Sequence, residues 1–191
     1  MKIKTTIAVL TGLVLAVNVF GQGQVVFRNT PTTPVVDFTT GSAAATGVAL
    51  AGLYYTTDLA STPDLDIPND GWILAATTAI TPVPTFAGVY SGGTVTITGL
   101  PEGTAVLLQV RAWSAAYADY EAAWAGASDQ PTPQVGGSNV MQVNLGGGSL
   151  PVPNISTIVE GFTITPVPEP STLVLGLLGG LGAMVLLRRR K

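Results

Sequence analysis

Short segments in which apolar and polar side chains alternate recur along the middle of the chain. Between Thr104 and Trp113, every second residue of Val106–Ala112 is apolar, whereas Gln109 and Arg111 would occupy the opposite face of a strand. Thr94–Thr98 alternates in the same way, with threonines opposite valine and isoleucine. Apolar, β-branched and aromatic runs predict further strands at Gln24–Asn29, Val35–Phe38, Val48–Tyr55, Trp72–Ile80, Phe86–Tyr90, Ser138–Leu145 and Ile158–Thr165.

Clusters of glycine, proline and aspartate separate these segments and indicate turns. Ser91-Gly92-Gly93 predicts a hairpin between the strands on either side of it, and Asp129–Gly137 predicts a loop. Ser114–Ala127 remains open between a short helix, which its alanines allow, and an irregular crossover. This succession of short strands and turns predicts an all-β domain with the architecture of an antiparallel β-sandwich over residues 22–165.

The core of such a domain should consist of the apolar residues on the inward faces of the strands. A sandwich buries alternate residues of both sheets between its two layers. The predicted core residues are Val25, Phe27, Leu53, Val95, Ile97, Val106, Leu108, Val110, Met141, Val143 and Phe162.

The first residues of the chain have the pattern of a secretory signal peptide. Lys2 and Lys4 form a basic start, and Ile7–Phe20 is an almost uninterrupted apolar segment. We expect cleavage after Gly21, with Gly23 as the alternative, so residues 1–21 are excluded from the folded domain. The apolar segment is short for an uncleaved membrane anchor.

The end of the chain has three parts in a fixed order. Pro168 and Pro170 fix their own backbone angles and favour extended geometry at Val167 and Glu169. The uncharged apolar run Leu173–Leu187 follows, and as a helix it spans roughly 23 Å at about 1.5 Å per residue, a little less than the ~30 Å of a bilayer core. We interpret it as a transmembrane helix.

Basic residues close the chain directly after this apolar run. They are Arg188, Arg189, Arg190 and Lys191. The positive-inside rule places such a cluster on the cytoplasmic side of the membrane. Arg188 can extend its charge toward the membrane surface, which compensates for the shortness of the helix.

Residues 166–191 together resemble the PEP-CTERM sorting signal. The resemblance rests on Pro168-Glu169-Pro170-Ser171-Thr172, on the glycine-rich apolar run and on the basic cluster at 188–191. It implies a Gram-negative bacterium that makes exopolysaccharide. It also implies export through the secretion translocon, anchoring in the inner membrane, and processing by an exosortase-type membrane protease.

A second resemblance concerns the body of the protein. Thr94–Trp113 resembles the strand–turn–strand of immunoglobulin-like and fibronectin-type-III modules, and Thr94–Thr165 is similar to domains that often precede PEP-CTERM tails. The expected sandwich is therefore immunoglobulin/fibronectin-III-like or jelly-roll-like. The resemblance implies no activity for this domain.

Charge and composition exclude several classes of function. Between Gln22 and Thr165 there are ten acidic residues against two basic ones, Arg28 and Arg111, which gives a net charge of −8. Such a surface should repel nucleic acid. The chain has no cysteine for a disulfide and no histidine, the commonest general base and metal ligand. We predict no catalytic residues, no metal and no cofactor.

Two groups of carboxylates deserve comparison with known sites. Asp64, Asp66, Asn69 and Asp70 share one loop, which fits either solvated turn residues or Ca²⁺ ligands, but the spacing does not match an EF-hand. Asp119 and Glu121 would lie on one face of a strand, as the carboxylate pair of a glycosidase could. Nothing else in the sequence supports a catalytic cleft there.

Trp72, Trp113 and Trp124 are candidates for a sugar-stacking platform, with packing in the core as the alternative. The sequence therefore predicts an exported, non-catalytic protein of the envelope, cell surface or extracellular matrix. The alternative is a carbohydrate-binding module that contacts the exopolysaccharide. Exposed tryptophans lined up on one face would favour the alternative.

Overall fold

A computed structural model describes residues 21–45, 47–65, 71–80, 86–129 and 131–168. The predicted signal peptide, apart from Gly21, and the predicted transmembrane segment lie outside these ranges. The strands are β1 (Gln22–Arg28), β2 (Val35–Asp37), β3 (Ser42–Ala43), β4 (Ala49–Thr56), β5 (Ile73–Ala79), β6 (Ser91–Pro101), β7 (Ala105–Ser114), β8 (Gln134–Gly137), β9 (Met141–Asn144) and β10 (Phe162–Pro166). A short helix, α1 (Tyr120–Ala125), follows β7. The predicted all-β class is confirmed.

The strands form two sheets of unequal size. β1 and β6 make an antiparallel pair, and the larger sheet has the order β3-β2-β10-β8-β7-β4-β5. β9 also pairs with β7, so that β8 and β9 occupy successive parts of the same edge of β7. Within the described residues, no helix is long and apolar enough to cross a membrane.

The prediction of purely antiparallel sheets is wrong at one place. β10 runs parallel to β2, with Phe162 beside Val35 and Ile164 beside Asp37. The two strands are far apart in the sequence, so no tight turn requires them to be antiparallel. The assignment to an immunoglobulin/fibronectin-III-like or jelly-roll-like sandwich stays a prediction.

The main apolar core contains residues from both sheets. Val25 and Phe27 of β1 are buried in one cluster with Leu53 of β4 and Leu108 of β7. The cluster confirms the predicted core, since it also contains Val95, Ile97, Val106, Val110, Met141 and Val143, and Phe162 packs against it half-buried. For β6, β7 and β9, local alternation therefore predicted the inward face correctly.

Leu108→Ala should destabilise the protein because this side chain is fully buried in the core. We expect a loss of about 2–5 kcal/mol in the free energy of unfolding, measured by urea denaturation. The matched control is Leu59→Ala, since the Leu59 side chain is 47% exposed and such a surface change should cost under about 0.5 kcal/mol. Equal losses in the two variants would contradict the assignment of Leu108 to the core.

Several segments differ from the sequence-based prediction, and three of them change how the strands are connected. Gln134–Gly137 was predicted as loop, but it forms β8 because β7 and β10 supply hydrogen-bonding partners on both of its sides. Phe86–Tyr90 is not a strand and contributes one isolated bridge, between Tyr90 and Ile80. Ser91–Gly93 belongs to β6 and pairs with β1. Gly92 is needed for close approach there, since a Cβ at this position would collide with the Phe27 ring.

Candidate functional site

The described part of the fold reaches Val167, directly before the predicted sorting motif. Val167 is 2% exposed, and its backbone N–H donates to the Pro133 carbonyl at 2.9 Å. Pro168, the next residue, is exposed. The fold thus extends two residues beyond the predicted domain end at Thr165, and no described residue separates it from the motif.

An interior strand of the large sheet holds this end in place. β10 lies between β2 and β8, and its Ile164 side chain is fully buried. The remaining sorting residues, Glu169, Pro170, Ser171 and Thr172, lie outside the described residues, as do Arg188, Arg189, Arg190 and Lys191. The structure therefore describes Val167, the anchored residue that directly precedes the sorting motif.

A second buried cluster covers the outer face of β4 and β7, and Arg111 is its only basic side chain. The Arg111 guanidinium carbon lies 4.6 Å from the centroid of the Tyr54 ring, 5.3 Å from Tyr120 and 5.8 Å from Trp72. Its Nε–H donates to Gln109 Oε1 at 3.0 Å. We call these residues the Arg111 cluster. A cation among aromatic faces is stabilised by their quadrupoles, more strongly when water is excluded.

Glu121 of α1 places a negative charge next to the Arg111 cluster. Its Oε1 is 4.0 Å from Arg111 Nη1, and its Oε2 accepts a hydrogen bond from the Tyr54 hydroxyl at 3.1 Å. Burial, together with the negative charge of Glu121, raises the pKa of Tyr54. Tyr54 therefore stays a neutral hydrogen-bond donor at physiological pH.

The Arg111 cluster also fastens the loop that precedes β5. The Tyr120 hydroxyl donates to the Leu65 carbonyl at 2.8 Å, and Trp72 Nε1–H donates to Ser61 Oγ at 3.2 Å. These bonds tie Tyr120 of α1 and Trp72 to the loop 57–65, and the contacts of Arg111 with the same two rings and with Tyr54 connect them to β7 and β4. Arg111 is thus a buried cation that holds these parts of the fold together.

The three tryptophans do not form an exposed platform. Trp113 is fully buried, Trp72 is 7% exposed, and Trp124 is half-buried beside them. The cause is the crossover between β7 and β8, which folds back over the outer face of β7. Trp113 Nε1–H, for example, donates to the Tyr117 carbonyl at 3.0 Å within this crossover. Trp72 and Trp113 therefore pack inside the protein, which was the alternative to a sugar-stacking platform.

The candidate carboxylate pair does not lie on a strand. Asp119 caps α1, where its Oδ1 accepts the Ala122 N–H at 2.7 Å, and Glu121 is engaged with Tyr54 and Arg111. The strand-based spacing was therefore wrong. No cluster of three or more acidic residues suited to a metal occurs in the part of the chain that the structure describes. Asp66, Asn69 and Asp70 lie outside that part.

A groove of about 400 Å³ lies beside the point where the chain leaves the fold. The Tyr117 hydroxyl donates to Asp129 Oδ2 at 2.7 Å, and this bond to a carboxylate raises the pKa of Tyr117. The lining residues are Ser114, Ala116, Tyr117, Asp129, Pro131, Thr132 and Pro133. The sequence did not reveal this groove, because its walls come from the two ends of the crossover.

Comparison with known proteins identifies the tail. The family model of the PEP-CTERM protein-sorting motif matches residues 166–191. No curated protein and no solved structure matches the chain. The chain thus carries a PEP-CTERM sorting motif at residues 166–191, and this motif supports an exported protein that is sorted at the membrane by an exosortase.

Proposed function

We propose that this protein is a non-catalytic component of the cell envelope or extracellular matrix, whose acidic domain is delivered by proteolytic processing of its tail. The observation that carries the proposal is the PEP-CTERM match at residues 166–191, which begins where β10 ends. The domain is the cargo, and the tail is the sorting signal.

The charges at the two ends support a defined order of events. Lys2 and Lys4 stay in the cytoplasm while the secretion translocon exports the body of the chain. Leu173–Leu187 then stops in the membrane, and the basic residues 188–191 stay in the cytoplasm. Pro168-Glu169-Pro170 is left at the outer surface, where an extended segment suits the cleft of a protease.

The anchored end of the fold adds a geometric constraint to this order. Five residues, 168–172, separate the buried Val167 from the start of the apolar run. Fully extended, they reach roughly 17 Å at about 3.4 Å per residue. The domain is therefore held close to the membrane surface before cleavage, and the protease must act in the space between the two.

The side chains of the domain support a role without catalysis. The chain has no histidine or cysteine for a nucleophile–base pair. Its Asp119 and Glu121 carboxylates serve a helix cap and the Arg111 cluster. A structural use of these groups accounts for their positions without a substrate.

Intact-mass measurement of the native protein tests the proposal. In a strain with an active exosortase, we expect the mature chain to end near Pro168–Ser171. It should be lighter by about 2 kDa than the chain before tail removal, since 191 residues weigh 19.5 kDa. A matched strain without the exosortase should retain the tail. Mature protein that still carries Arg188–Lys191 despite an active exosortase would show that the tail is an anchor alone.

A further inference from the structure

The two edges of the large sheet differ in a way that bears on assembly. β3 at one edge has two residues, which is a short and therefore protected edge. β5 at the other edge has seven residues and, within the described part of the chain, pairs with β4 alone. Ile73 and Leu74 of β5 are 54% and 38% exposed.

The direction of the backbone groups along β5 follows from one hydrogen bond. The Ile80 N–H donates to the Ala49 carbonyl at 3.3 Å, so Ile80, Thr78 and Ala76 face β4, and a register shift between Ala76 and Leu74 ends this alternation. The N–H and C=O of Thr77 therefore point away from β4. Near Ile80 the bridge to Tyr90 and the bond from the Thr78 hydroxyl to the Ser91 carbonyl at 3.3 Å cover the edge, and among the described residues no strand other than β4 pairs with residues 73–77.

This edge has none of the charges that usually protect an exposed strand. β5 reads Ile-Leu-Ala-Ala-Thr-Thr-Ala, without lysine, proline or an acidic residue. The whole stretch from Gly71 to Pro101 is uncharged, whereas the domain carries a net charge of −8. Two copies of an acidic protein repel each other least when they approach through this side.

We propose that β5 is a homodimer interface, in which the β5 strands of two copies pair antiparallel and join the two large sheets into one. An antiparallel pair of identical strands has the twofold symmetry that an isologous dimer requires. The short β3 edge does not offer a second such contact, so assembly closes at the dimer. This inference goes beyond the processing of the tail and does not depend on it.

The full-length protein in mild detergent, studied by sedimentation velocity, provides the test. We expect a protein mass of twice that of the chain. Thr77→Pro should reduce it to the monomer, because proline removes an outward N–H that β4 does not use. Thr77→Val keeps this N–H and, as the matched control, should stay dimeric. Higher salt should strengthen the dimer, because it screens the repulsion between the acidic bodies.

Two further measurements decide between this interface and its alternatives. A dimer that persists in Thr77→Pro overturns the proposal. Gly176 and Gly180 of the tail have the G-x-x-x-G spacing at which membrane helices can pair closely, so loss of the dimer in Gly176→Leu would assign the contact to the tail and also overturn the proposal. If Thr77→Pro fails to fold, hydrogen exchange of the wild-type protein tests the β5 interface instead. The amides of residues 73–77 should then exchange at least about tenfold more slowly at high protein concentration than at low. Unchanged exchange, or a wild-type monomer at all concentrations, also overturns the proposal.

Discussion

Replacement of Pro168, Glu169 and Pro170 by alanine is expected to yield a protein that still inserts into the membrane but is no longer processed. Insertion depends on Leu173–Leu187 and the basic residues behind it, which this variant retains. Processing depends on an extended segment at the membrane surface, and alanine removes the two prolines that enforce it. Cell fractionation followed by intact-mass analysis should find the full tail in the membrane fraction.

A second pair of prolines with the same spacing supplies the matched control. Pro151 and Pro153 lie in the loop between β9 and β10 and are separated by one residue, as in the sorting motif. Alanine at both positions should leave processing unchanged. Cleavage of the Pro168–Pro170 variant at its normal position would contradict the assigned role of the motif, and a variant absent from the membrane would contradict the separation of insertion from processing.

Arg111→Ala is expected to cause a large loss of stability. The side chain is fully buried against three aromatic rings and bonded to Gln109. Its removal deletes those contacts and leaves a cavity beside the Glu121 carboxylate. We expect a loss of roughly 3 kcal/mol or more in the free energy of unfolding. Urea denaturation followed by tryptophan fluorescence is a suitable measurement, since Trp72 belongs to the same cluster.

Arg28→Ala is the matched control for this substitution. Arg28 is the other arginine of the domain, and its side chain is exposed at the end of β1. Its removal should change the free energy of unfolding by less than about 0.5 kcal/mol. A similarly small effect for Arg111→Ala would show that the buried cation does not stabilise the fold.

These outcomes bear on why the domain keeps a charge in its interior. A buried ion pair often stabilises less than apolar residues of the same volume would. Arg111 differs from a simple pair because its partners are mostly ring faces, with Glu121 at 4.0 Å and 25% exposed. The cluster joins the crossover to the sheet, and the crossover also supplies the Pro133 carbonyl that holds Val167. The stability of this face is thereby linked to the anchoring of Val167.

The sequence by itself determined the strands with clear alternation and the order of the parts of the tail. The inward faces of β6, β7 and β9 could be read from period-two patterns, because residue alternation on a strand is a local property. The motif at Pro168–Thr172 is likewise local, since it consists of consecutive residues. The part of the main core that β6, β7 and β9 supply followed from these patterns.

Only the tertiary structure decided what covers each sheet and which strands meet. Arg111 alternates with core residues, so the sequence placed it on the opposite face of β7, yet the crossover buries that face too. The parallel contact of β10 with β2, the pairing of Gln134–Gly137 and the open edge of β5 depend on segments distant in sequence. Such contacts are selected by the packing of the whole domain, and no local pattern of residues encodes them.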